Sequence, residues 1–204
     1  MNLAVANVSR RISRQAFTLV ELAVASTISI VIGGTVVLLV FQSATEQRKG
    51  YADTAVEQEA YTLEANITSC LRSMSANQGA TPNYATQVSD SSGNPLGYQS
   101  IVIFYPTNGG YITGSINYIP ATGQVIYTPN VLTPTTQIVW MTNSTTTLLT
   151  NLLFSTSFNP DGSQNSSLVN VQFQMNDNGY SKQNPTNNPA SLYRSFAVQM
   201  RNDN

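Results

Sequence analysis

The sequence predicts an α+β protein: a long N-terminal α-helix, membrane-embedded in its first part and amphipathic in its second, packed on a C-terminal antiparallel β-sheet domain. Three observations predict it. The twenty residues Leu22–Phe41 carry no charge. No proline precedes Pro82, so nothing of that kind interrupts a helix before it. All nine prolines and most glycines lie from Thr81 onward, among short runs rich in Val, Ile, Tyr and Phe, which is the texture of strands and turns. The chain divides accordingly into a basic leader (1–16), a transmembrane helix (17–41), an amphipathic continuation of that helix (42–76) and a β-rich head (77–204).

The apolar span is long enough for a bilayer, because twenty helical residues reach about 30 Å, the thickness of a hydrocarbon core. Arg10, Arg11 and Arg14 precede it, and Glu46, Arg48 and Lys49 come after it. The positive-inside bias places the N-terminus in the cytoplasm and the bulk of the chain on the other side. A cleaved secretory signal would have a shorter apolar part ending at a small-residue site; here a helix-favouring stretch, SATEQRKGYADTAVEQEA, takes that place. Gly33-Gly34 inside the span has two readings, close packing against a neighbouring helix and a point where the helix bends.

Beyond the span, Val56, Ala60, Leu63, Ile67, Cys70 and Met74 recur at spacings of three and four, one stripe of a helix. Glu57, Glu59, Glu64 and Arg72 fall outside it. The stripe covers fewer than three heptads, so packing on the chain's own sheet is expected rather than a coiled coil. A helix from Phe17 to Ala76 would be roughly 90 Å long, with Asn77-Gln78-Gly79 as its stop. Cys70, on the stripe, reads as a small buried hydrophobe; a reactive thiol would need a cation or metal beside it.

The predicted strands are Ser100–Tyr105, Tyr111–Ile119, Gln124–Tyr127, Gln137–Met141, Val169–Met175 and Arg194–Met200. VNVQFQM and RSFAVQM alternate as half-buried antiparallel strands do. Leu148–Phe154 (LLTNLLF) fits either a strand or a helical turn. With no helical pattern of its own, this region needs the amphipathic helix as its cover.

Composition narrows the function. Of 204 residues, 9 are Lys or Arg and 10 are Asp or Glu, a net charge of −1, which argues against a nucleic-acid partner. Charged residues are 9% of the chain, and Asn, Thr, Ser and Gln make up about two-fifths of it, as in many exported β-rich proteins. There is no histidine, which removes Ser-His-Asp and Cys-His catalysis and imidazole metal sites. One cysteine permits no intrachain disulfide. Asp161-Gly162-Ser163-Gln164-Asn165 and Asn176-Asp177-Asn178-Gly179 look like fragments of calcium loops. Each holds one carboxylate and lacks the bidentate glutamate of such loops, so hairpin turns are the expectation. No enzyme, metal or cofactor is expected.

The junction of leader and span reads Arg14-Gln15-Ala16-Phe17-Thr18-Leu19-Val20-Glu21. Here the chain resembles the type IV pilin superfamily, which includes the pseudopilins of type II secretion. The resemblance covers about 30 positions, from the leader through the apolar span. It implies cleavage between Ala16 and Phe17 by a prepilin peptidase, N-methylation of Phe17, and storage in the inner membrane as a single-pass protein. The head would then be periplasmic, or extracellular in a filament built with other pilin or pseudopilin subunits. Ala16 stands where the family usually has glycine, and slower or normal processing is expected from it. Glu21, read alone, marks the membrane interface; the resemblance implies instead that it pairs with the cationic Phe17 amine of a neighbouring subunit during assembly. A looser pattern over about 50 residues, Leu152-Leu153-Phe154, VNVQFQM and Tyr193 to Asn202 with its Arg201-Asn202, resembles the ending of J-type minor pseudopilins and minor type IV pilins. The expected function is a structural filament subunit. The alternatives are a filament-tip adhesin or binding module with a neutral Asn/Thr/Tyr surface and, weaker, a membrane-anchored enzyme.

Overall fold

The computed structural model describes residues 18–73, 83–108, 110–133, 135–158, 160–161, 164–178 and 191–200. Its elements are helix α1 (Leu19–Arg72) and strands β1 (Asn83–Ser89), β2 (Pro95–Thr107), β3 (Gly110–Ile119), β4 (Gln124–Thr128), β5 (Ile138–Met141), β6 (Thr147–Phe158), β7 (Gln164–Asp177) and β8 (Ser191–Gln199). The arrangement is α+β: one long N-terminal helix, and a C-terminal antiparallel sheet against which its second half packs. Two compact units divide the chain, Met1–Glu46 and Gln47–Asn204.

In the first unit the helix is exposed from Leu19 through Glu46 and uncharged from Leu22 to Phe41. The hydroxyls inside that uncharged span are bonded to the helix's own carbonyls. Ser26 and Thr27 donate to the Ala23 carbonyl at 2.9 and 2.8 Å, and Ser29 donates to Ala25 O and Thr35 to Ile32 O, each at 2.8 Å. A hydroxyl satisfied by its own helix is compatible with a hydrocarbon surrounding.

In the second unit Val56, Ala60, Leu63, Ile67 and Cys70 are buried, as their spacing predicts, and Leu71 joins them. Met74 lies outside the described residues. The described helix runs to Arg72; the expected end at Ala76 and the Asn77-Gln78-Gly79 stop lie outside the described residues. At the last described turn Ser73 N–H donates to the Ser69 and Cys70 carbonyls, both at 3.2 Å, and its hydroxyl to Cys70 O at 2.7 Å.

Eight strands form one sheet in the order β5-β4-β3-β2-β6-β7-β8, with β1 paired to β2. All pairings are antiparallel. β2 and β3 run together from Ser100↔Asn117 to Thr107↔Gly110, whereas β2 meets β6 only at Tyr98↔Phe154. Gly97 makes that junction possible. Its φ of 153° suits glycine, and a Cβ there would lie 3.1 Å from Leu153 Cβ and from Phe154 O.

The core is apolar on both sides of the helix–sheet contact. Ile101, Ile103, Ile116, Val125, Leu149, Leu152, Phe154, Val169, Val171, Phe173, Met175 and Val198 meet the helix stripe. Burial on β7 keeps a strict period of two, Val169, Val171, Phe173 and Met175. LLTNLLF is a strand, part of β6. Its register shifts between Leu149 and Asn151, so the inward residues are Leu149, Leu152 and Phe154 rather than every second one.

Candidate functional site at the head of the helix

Ala16 and Phe17, the residues of the expected cleavage and methylation, lie outside the described residues. Thr18 is the N-cap of α1: its N–H and its hydroxyl donate to Glu21 Oε2 at 2.9 and 3.1 Å, and Glu21 N–H donates to Thr18 Oγ1 at 3.2 Å. The first helical bond, Leu22 N–H to Thr18 O, is 3.2 Å. This is a reciprocal capping box, threonine at the cap and glutamate three residues on. It gives Glu21 a task within its own chain that neither reading from the sequence included. The signal was present, since Thr-x-x-Glu ahead of an apolar run is the sequence form of such a cap.

Beyond the cap runs a helix long and apolar enough to cross a membrane, and its apolar stretch is exposed. Leu19 and Phe41 are 85% and 68% exposed. An apolar helical surface this long is not left to water by a soluble fold.

The polar contacts in the second unit hold structure together. Cys70 Sγ lies 3.1 Å from the Tyr105 hydroxyl, which lies 2.6 Å from the Tyr127 hydroxyl. Burial pushes the thiol up to about 11 from its ordinary 9.0, against the two tyrosine hydrogen bonds, which favour the thiolate. Cys70 is therefore protonated and unreactive at neutral pH. Burial likewise raises Tyr105 and Tyr127. Tyr127 stacks on Trp140 at 4.9 Å between centroids and 22° between planes. Arg194 of β8 sits over the Tyr61 ring of α1, 4.6 Å from its centroid. None of these partners was legible in the sequence, where no local spacing links them.

The two candidate calcium fragments separate. Asp161 is exposed in the turn between β6 and β7, as a hairpin predicts. Asn176 and Asp177 are not in a turn: they end β7, and Asp177 is buried opposite Thr147. Among the described residues no three of His, Cys, Asp and Glu gather as metal ligands. Comparison with family models, with curated proteins and with solved structures finds no match for this chain.

Proposed function

We propose that the chain is a structural subunit of a type IV pilus-like or type II secretion pseudopilus filament, held in the inner membrane before assembly. The observation that carries this reading is the position of the motif. Ala16-Phe17-Thr18-Leu19-Val20-Glu21 runs into the start of α1 in the sequence, and the apolar part of the helix beyond it is exposed among the described residues. Such a surface needs lipid at one stage or other apolar helices at another, and a filament subunit meets both in turn. Cleavage between Ala16 and Phe17 by a prepilin peptidase makes Phe17 the N-terminus, one residue ahead of the Thr18 cap. The new amine is methylated, and Glu21 pairs with that amine on a neighbouring subunit. The chain itself performs no catalysis.

The test is mass spectrometry of the chain purified from membranes of cells with an active prepilin peptidase. The expected product begins at Phe17 and carries one additional methyl group. A product that still begins at Met1 rejects the reading.

A further inference from the structure

Between the second half of α1 and the edge strand β5 lies a cleft of about 440 Å³, within the size range of small-molecule sites. Gln58, Glu59 and Thr62 line it from the helix, and Trp140, Met141 and Thr142 from the strand side. Trp140 is the chain's single tryptophan. It is half-buried, and one face of its indole is covered by Tyr127. Tyr127 is in turn fixed through its hydroxyl to Tyr105, and Tyr105 to Cys70. The indole is thus held by a chain of contacts that starts in the helix core, and it forms part of the cleft's lining.

The charges around the cleft limit what enters. Among the described residues no Lys or Arg lines it, so a phosphate, a sulfate or a nucleic-acid backbone would find no cation among them. Glu59 is the one charged residue in the described lining. A carboxylate beside an indole also suits an alkylammonium ion. A quaternary ammonium ion neither donates nor accepts a hydrogen bond, however, and would make no use of the Gln58 amide or of the Thr62 and Thr142 hydroxyls. A sugar hydroxyl both donates and accepts, and a pyranose ring presents an apolar C–H face. We propose that this cleft is a binding site for the pyranose ring of a neutral saccharide. The ring stacks on the Trp140 indole, and its hydroxyls bond to the Glu59 carboxylate, the Gln58 amide and the Thr62 and Thr142 hydroxyls. The site belongs to the Gln47–Asn204 unit and is independent of whether the chain enters a filament.

The experiment uses the full chain in micelles of a polyoxyethylene detergent, which carries neither sugar nor charge. Trp140 fluorescence is titrated with methyl pyranosides, with tetramethylammonium in a parallel arm. A saturable change with at least one pyranoside is expected, with Kd on the order of 1 mM for a single ring. Glu59→Gln should weaken it about tenfold, the effect of one modest charge-assisted bond, with no change in the thermal midpoint. Gln58→Ala, on the exposed helix surface, is the second variant and should weaken binding in the same direction. Saturation-transfer NMR on Trp140→Leu should show the signal from the sugar lost. No saturable response to any pyranoside overturns the proposal, as does a response to tetramethylammonium alone. Undiminished sugar binding in both Glu59→Gln and Gln58→Ala overturns the assignment to this cleft.

Discussion

Cys70 illustrates how far a single residue can be read from its neighbours in sequence. Its place on an apolar helix stripe correctly implies burial, yet its hydroxyl partner is 35 residues away on β2, and no periodicity points across that distance. The contact has a pH signature. The unfolded thiol titrates near 9.0 and the folded one near 11, so between those values the folded chain keeps a proton that the unfolded chain has lost. The stabilisation is fully present below pH 9 and is lost as the pH rises towards 11. Tyr84, pushed by burial from 10.0 to about 12, extends the same trend upward. Unfolding by denaturant, monitored through Trp140 fluorescence, should therefore show stability falling above pH 9, with the thiol contributing on the order of 2 kcal/mol. Cys70→Val should flatten the fall between pH 9 and 11; an unchanged slope would mean that the thiol is not the group responsible. Tyr105→Phe strands both the thiol and the Tyr127 hydroxyl and should cost about 1–3 kcal/mol at neutral pH.

Elements were legible in proportion to the regularity of their pattern. The helix stripe and the alternating β7 emerge at the positions expected because uninterrupted periods of 3.6 and 2 leave one choice of buried face. The bulge in β6 breaks that logic. It brings Leu148, Leu149, Leu152 and Leu153 into a spacing that a helix would also give, and only pairing with β7 decides for a strand. β1 has almost no signal of its own. Its seven residues, NYATQVS, are mostly exposed, and Thr86 sits at a φ of 61°, unusual for a β-branched residue. Its existence depends on pairing with β2, not on its composition. The asymmetry sets two expectations for mutation. Leu63→Ala removes a side chain that is 1% exposed at the centre of the stripe and should cost about 2–5 kcal/mol in denaturant unfolding. A loss below about 1 kcal/mol would contradict the burial. Gly97→Ala pushes a Cβ into Leu153 and the Phe154 carbonyl at the sole β2–β6 pairing. It should cost about 1–3 kcal/mol and should deprotect β6 amides in hydrogen exchange before those of β3.

At the scale of the whole molecule the sequence left Glu21 with two roles, membrane-interface marker and partner of a neighbour's N-terminal amine, and the capping box adds a third inside its own helix. The three separate under two substitutions. Glu21→Gln keeps the cap, because either side chain serves at the third helical position, but removes the charge. Glu21→Ala removes both. If Glu21 only marks the interface, both variants insert and assemble as the wild type does, since losing a charge beside lipid is favourable. If the cap is what matters, glutamine behaves as wild type and alanine alone fails, with fraying of the first turn visible as faster amide exchange at Leu19–Glu21. If the carboxylate answers a neighbour's amine, both variants insert and are cleaved, yet both enter filaments poorly. The amine would then enter a packed helical interior with no counter-charge, and an ion that loses its partner on burial is strongly disfavoured. A subunit inside the filament shows this third pattern, whereas one at the very tip, with no neighbour above it, tolerates the loss. Comparing membrane and sheared-filament fractions of the wild type and both variants reads it directly. Recovery of Glu21→Gln in filaments should fall roughly tenfold or more, the effect of even a modest charge pair. Equal recovery of Glu21→Gln and wild type rejects either the charge pair or an interior position in the filament, and crosslinking from Phe17 to a neighbouring subunit tells which.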